Sequence, residues 1–358
     1  MRKFIFALMA SLLSCSAVSA FWQEAVDSSL EIGVGYRQDN IKWKRESSNG
    51  SSSYSSDCSS SSKDSGKIKS DLKWKDLNIW VIEGRGKYIT CDNIYLRGAV
   101  DYGWITSGKI KHSLEVDGEC ESFDNYFSNG DKHRVKGNVW DAKLALGYQF
   151  KWCDEALSLS PVVGYSWHGT ELRNGKHDDY NYGSSSYSDS CSYSSSSDSS
   201  SEYSSYSSSC DKHKIHQRWV GPFIGIDLDY RVCCDWNLFL SYEYHWADYH
   251  AKERHSELFF DHLFNGNCCF EDSTIRIHGK NGSGNVLNMG VQWDLCDCWT
   301  VGLRGEFQWW EVSDAREHRK LCEQSLTSHA ELEAVLKTRI KEVTWNSGSL
   351  VLDFGMVF

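Results

Sequence analysis

The chain ends on "LVLDFGMVF", residues 350–358, and the two faces of this stretch differ. Leu350, Leu352, Phe354, Met356 and Phe358 share one parity, while Asp353 and Gly355 fall on the other. A period of two is that of a β-strand, whose successive side chains point to opposite sides. The same pattern recurs upstream. In "VGPFIGIDLDYR" (220–231), Val220, Pro222, Ile224, Ile226, Leu228 and Tyr230 alternate with Gly221, Phe223, Gly225, Asp227, Asp229 and Arg231. Next, Leu238, Leu240, Tyr242, Tyr244 and Trp246 oppose Ser241, Glu243 and His245. In "VWDAKLALGYQFKW" (139–152), Trp140, Ala142, Leu144, Leu146, Tyr148, Phe150 and Trp152 oppose Asp141, Lys143, Gln149 and Lys151. Similar runs at 94–104, 157–167, 285–295 and 300–310, less regular ones at about 28–45 and 68–90, and the run from about 342 bring the total to ten strands.

These runs reach ten residues or more. Strands of soluble sandwiches average about 5–6, and a tilted strand crossing a bilayer needs about 9–11. Tyr and Trp near the ends of the apolar faces match interfacial girdles. The reading is all-β: a ten-stranded antiparallel transmembrane β-barrel with four short periplasmic turns and five long external loops. The loops are expected at about 46–67, 112–136, 174–216, 256–284 and 316–341. The alternation running to a terminal Phe358 resembles the C-terminal signal of bacterial outer-membrane barrels, in which that residue is read by the insertion machinery.

The N-terminus, "MRKFIFALMASLLSCSAVSA", agrees with export. Arg2 and Lys3 precede an apolar run from Phe4 to Leu13, and Val18-Ser19-Ala20 supplies a small-residue cleavage site. Residues 1–20 are therefore read as a secretory signal and 21–358 as the barrel. Leu12-Leu13-Ser14-Cys15 also loosely matches a lipoprotein box. No later stretch approaches the about 18 apolar residues of a spanning helix. A formal net charge of -11 argues against nucleic acid as a partner.

Four short stretches place a Cys-Asp pair between alternating runs: Cys91-Asp92, Cys153-Asp154, Cys234-Asp235 and Cys296-Asp297. They fall where the periplasmic turns are expected, so Cys91, Cys153, Cys233, Cys234, Cys296 and Cys298 form a ring at that end. Asp explains the turn by bonding its own backbone; recurrence of the cysteine calls for another reason. Turns spaced around a circle are mostly too far apart for the roughly 4.4–6.8 Å Cα separation of a disulfide. Bonds to neighbouring envelope proteins are the expectation, and no histidine joins these cysteines at a zinc-like spacing. Neither metal nor cofactor is expected.

Two external loops carry serine tracts, "SSNGSSSYSSDCSSSSKDSG" and "GSSSYSDSCSYSSSSDSSSEYSSYSSSC". Such composition buries too little apolar surface to fold alone. Cys191 and Cys210 flank one tract and are candidates for a loop disulfide. Residues 321–341 have helical spacing through Leu326, Leu332, Val335, Leu336 and Ile340, which predicts a short helix on the fifth loop. The lumen parity carries both signs, including Arg97, Asp101, Asp141, Lys143, Glu243, Arg304, Glu306 and Asp353. In a narrow lumen such charges should pair into a plug.

By strand and loop order the mature chain resembles the omptin superfamily of ten-stranded outer-membrane barrels. There, an aspartate pair on the second loop faces an Asp-x-His on the fourth, and together they activate a water for endopeptidase chemistry. The residues that stand in those places are Asp117 and Glu119 in "EVDGEC", and Asp248 and His250 in "WADYHAKERH". A carboxylate that orients a histidine makes a general base. Strict alternation from Leu238 puts Asp248 and His250 on the lipid-facing parity, so turning them inward requires a bulge. The cysteine-rich face is similar in style to chlamydial-type outer-membrane proteins, which are disulfide-linked and often porin-like.

The expectation is an outer-membrane barrel with a structural and surface role, disulfide-linked below and presenting Ser/Tyr-rich loops above. An omptin-like endopeptidase is the first alternative and a narrow porin the second. The expected partners are outer-membrane lipid and lipopolysaccharide, other cysteine-bearing envelope proteins, and a host surface.

Overall fold

A computed structural model describes residues 25–47, 67–117, 135–153, 156–174, 214–233, 235–255, 273–296, 298–321 and 334–357. Residues 1–20, both serine tracts, Glu119, Cys191, Cys210, Cys234 and Phe358 lie outside them. The described chain is a closed, ten-stranded antiparallel barrel. Its first half comprises β1 (Ala25–Ser47), β2 (Lys67–Thr90), β3 (Ile94–Asp117), β4 (Val135–Tyr148, resuming after Gln149 as Phe150–Trp152) and β5 (Leu157–Asn174). The second comprises β6 (Lys214–Cys233), β7 (Trp236–His255), β8 (Ser273–Cys296), β9 (Trp299–Leu321) and β10 (Ala334–Val357). Each strand pairs with the next. Closure is made by β1 and β10, from Ser29↔Val357 to Glu46↔Arg339. A closed ladder leaves no unpaired backbone edge in hydrocarbon, which is what the bilayer demands.

The expected alternation holds. Leu350, Leu352 and Phe354 point outward and are more than half exposed, whereas Val351 and Asp353 are buried inside. The outer wall has an apolar belt, including Ile32, Val34, Val100, Leu144, Val163 and Leu303. Trp80, Trp104, Trp167, Trp246 and Trp309 mark its upper border, and Trp152, Trp236, Trp293 and Trp299 its lower one. The interval from Trp236 to Trp246 is close to the about 9–11 residues that a tilted crossing needs. Short connections at 91–93, 153–156, 234–235 and 297–298 all lie at the lower end; in outer-membrane barrels that end faces the periplasm.

The strands run further than alternation predicts. β8 begins at Ser273 rather than near 285, and β9 continues to Leu321 rather than 310. The helical spacing over 321–341 is corrected in part: residues 334–341 are strand, and Leu321 pairs with Ala334. Cross-strand backbone bonds supplied by β9 outweigh a side-chain spacing that isolated residues would prefer as helix.

Irregularities explain why the upper part was hard to read. An extra residue in β2 puts Asp76 at φ 52°, with its N–H donated to Asn40 Oδ1 at 3.1 Å. The inward parity therefore switches from Leu72 and Trp74 to Leu77 and Ile79. A second bulge in β8, with Asn281 at φ 61°, switches it from Ile275 and Ile277 to Val286 and Asn288. Both act as bulges do, re-aiming side chains at the cost of one unpaired residue.

Gly284 has a packing role. A Cβ there would lie 2.3 Å from Trp310 Cε3, inside the lumen. Gly284→Val is expected to cost about 1–3 kcal/mol by overpacking. Gly305→Ala, whose nearest neighbour would be 3.8 Å away, should leave the midpoint of urea unfolding in vesicles unchanged.

Candidate functional site

The lumen is the natural place to look for a site, and it is filled in strata. At the upper end Arg45 reaches across to two buried carboxylates, Glu253 at 2.6 Å and Glu317 at 3.2 Å. Beneath them lies an aromatic stratum. Trp310 stacks on Trp345 at 5.7 Å and 16°, and it also contacts Trp219 at 5.7 Å. Trp43 meets Trp74 edge-on at 5.1 Å, and Trp219 packs on Tyr249 at 4.6 Å. All these tryptophans are at most 1% exposed, packed among Ile41, Leu77, Ile79, Val312 and Val343.

The middle stratum is charged. Arg37 holds Asp39 through two bonds of 2.8 and 3.0 Å and reaches Asp141 on β4 at 2.6 Å. Arg97 bridges Glu243 on β7 at 2.7 Å and Asp227 on β6 at 2.9 Å. Lys143 reaches Glu306 on β9 at 3.3 Å. Arg304 ties Asp353 on β10 to Glu83 on β2, at 2.9 Å each. His245 sits between Glu243 and Ser166, 2.9 Å from each. Glu243 and His245 are thus parts of an interior polar network, as their parity suggests. Charges desolvated in this way persist because each meets an opposite charge or a donor.

Below this stratum a cavity of about 440 Å³ opens at the short-turn end. Arg85, Lys87, Arg97, Asp227, Asp229 and Asp294 are among the residues that line it. Tyr95 closes its inner end by donating its hydroxyl to Asp227 Oδ2 at 3.0 Å.

The four residues placed by the omptin resemblance do not meet among the described residues. Asp117 ends β3, with its side chain outside the described set, and Glu119 lies beyond it. Asp248 is exposed on the outer wall. His250 also faces outward, since Ala247, Tyr249 and Ala251 hold the inward parity of β7 without a break. The bulge at this height belongs to β8, not β7. His250 pairs with His278, Nδ1 to Nδ1 at 2.9 Å.

Cys91, Cys153, Cys233 and Cys298 are exposed, and among the described residues no disulfide is formed. Cys296 ends β8, its side chain outside the described set. The described residues also hold no group of three or more His, Cys, Asp or Glu that could bind a metal ion.

Sequence reasoning missed the aromatic stratum, Arg37 with Asp39, the Arg45 clasp and His168, which packs on Trp310 at 4.5 Å and lies 3.0 Å from Asp141. Part of the signal was present: Arg37, Asp39, Ile41 and Trp43 share one parity in β1.

Comparisons with known proteins agree with this architecture. The family described as Pom, Protochlamydia outer membrane protein, matches residues 31–358. No curated protein matches by sequence. Among solved structures the chain is similar to the outer membrane protease OmpT from Escherichia coli. The TM-score is 0.58 at 12% identity, with 93% of this chain and 97% of that chain covered. Weaker likenesses are to the Pseudomonas putida toluene transporter TodX (TM-score 0.34, 10% identity, 97% and 93% covered) and Yersinia pestis Ail (0.25, 9%, 94% and 100%). At these identities the likeness to OmpT is one of fold.

Proposed function

The chain belongs to the Protochlamydia outer membrane protein family, and for this barrel of the bacterial outer membrane we propose a structural and surface-displaying role. In this reading it is tethered from its periplasmic end, through disulfides, to other cysteine-bearing envelope proteins, and it presents Ser/Tyr-rich loops outside. The observation that carries the reading is the pairing of a lumen filled by side chains with thiols exposed at separate short turns. A filled lumen suits a scaffold better than a conduit. Cys91, Cys153 and Cys233 are exposed at the ends of three different strands, where a neighbouring protein can reach them. The outer membrane borders an oxidising periplasm, so such thiols can form intermolecular bonds.

Non-reducing gels of isolated envelopes test the proposal. The expected result is a ladder of high-mass species that collapses to monomer with reductant and is depleted when Cys91, Cys153 and Cys233 are replaced by Ser. A monomer that ignores reductant would remove the tethering reading. Two further measurements separate the alternatives. Planar bilayers should record no stable conductance, and a reproducible open level would favour a narrow porin. Refolded protein and His250→Ala should leave a basic peptide equally intact; cleavage lost in the variant would favour the endopeptidase reading.

A further inference from the structure

The outer wall above the upper aromatic border is not uniform. Cross-strand pairing sets Arg218 on β6, His250 on β7, His278 on β8 and Arg316 on β9 side by side, in one row around the barrel. Two residues further up, His216, Lys252, Arg276 and His318 form a second row on the same four strands. All eight are exposed or half-buried, while the residues between them, such as Ile215, Tyr249, Ala251 and Ile277, fill the lumen.

The opposite side of the barrel also carries lysines at this height, but there they are neutralised. Lys42 and Lys73 share Asp71 at 3.7 and 3.2 Å, Lys109 meets Asp76 at 3.2 Å, and Lys44 pairs with Glu342. In the two rows, Arg218, Lys252, Arg276 and Arg316 form no ion pair with a described carboxylate; His216 meets Glu171 at 3.3 Å, a carboxylate that also holds Lys214 at 3.0 Å. Apart from Glu171, the described acids exposed on the outer wall near the rows are Asp248, Glu311 and Asp314, below the first row on its membrane side. A chain of net charge -11 thus concentrates unneutralised cations on one sector of its outer wall.

We propose that this sector binds the phosphate groups of an outer-leaflet glycolipid. The first row lies four residues above Trp246, at the level where headgroups surround a barrel. Outward side chains there have only the lipid to meet. Arg presents a planar fork that grips phosphate by two bonds, and cations near an anionic surface add to one another's attraction. The inference rests on the outer-membrane location and not on the disulfide tether, so either can fail without the other.

The test uses the refolded full chain in detergent micelles, with diphosphoryl lipid A and its dephosphorylated form as probes. The wild type is expected to bind the phosphorylated probe and to unfold at a higher temperature in its presence. The triple variant Arg218→Gln, Arg276→Gln, Arg316→Gln should lose on the order of tenfold or more in affinity. The Arg→Lys triple, which keeps the charge but loses the fork, should bind more weakly than the wild type and more tightly than the Gln triple, and Lys73→Gln with Lys109→Gln should match the wild type. Heat-modifiable mobility on gels verifies that each variant is folded. Equal binding of the two probes, or an unchanged Gln triple, would overturn the proposal. Equal competition by inorganic phosphate or heparin would overturn it in favour of a soluble-anion site.

Discussion

Arg304→Met is expected to destabilise the barrel by about 3–5 kcal/mol, the cost of breaking a buried ion pair from one side. Arg304 is 1% exposed and grips Asp353 through two bonds, of 3.1 and 2.9 Å, while reaching Glu83 at 2.9 Å. Methionine keeps most of the volume and removes the charge, leaving two carboxylates facing each other in the lumen. Arg85, 3.5 Å from Glu83, compensates only part of this. The loss should appear as a lower urea midpoint in vesicles with an unchanged slope. The double change Arg304→Met with Asp353→Leu should recover part of it, because an uncompensated charge costs more than an apolar pair. A loss below about 1 kcal/mol would mean that water reaches these carboxylates.

Trp310→Ala is the other large effect, expected at about 3–5 kcal/mol. The ring is fully enclosed, touching Trp345, Trp219, His168 and His245. Its Nε1–H donates to Gln308 Oε1 at 2.9 Å, so truncation also strands a buried acceptor. The surrounding strands are locked in a closed ladder and cannot collapse into the space. Trp310→Phe, which keeps a ring but loses the donor, should cost clearly less. Equal losses for the two variants would assign the effect to the hydrogen bond and not to packing. Midpoints of unfolding by tryptophan fluorescence, verified on gels, decide between them.

Much of the barrel was legible because a strand announces its faces through residues two apart. Arg97, Asp141, Lys143, Asp227, Glu243, Arg304, Glu306 and Asp353 were assigned inward from that period and are all found inside. Which cation meets which carboxylate was not legible: Arg304 and Glu83 are 221 residues apart. The aromatic stratum was obscured for a different reason. Bulges at Asp76 and Asn281 shift the parity, so that Trp74 and Leu77 both point inward and a strict period assigns one of them outward. Conversely, the bulge that an inward His250 would require is absent from β7. The lengths of β8 and β9 escaped notice because their upper halves, with polar outer faces, resemble loop composition until a partner strand supplies the hydrogen bonds.

From the sequence alone came the strand count, the two faces of the strands where no bulge interrupts them, the apolar belt and the cysteines at the short turns. All of these depend on neighbours along the chain. Only the tertiary structure decided the registers, and with them the ion pairs across the lumen, the stacked tryptophans and the basic rows on β6–β9. Register is a property of two strands at once, and ring closure is a property of all ten. A slip of one residue would turn every side chain to the other face, so the packed lumen selects the single arrangement in which its charges meet.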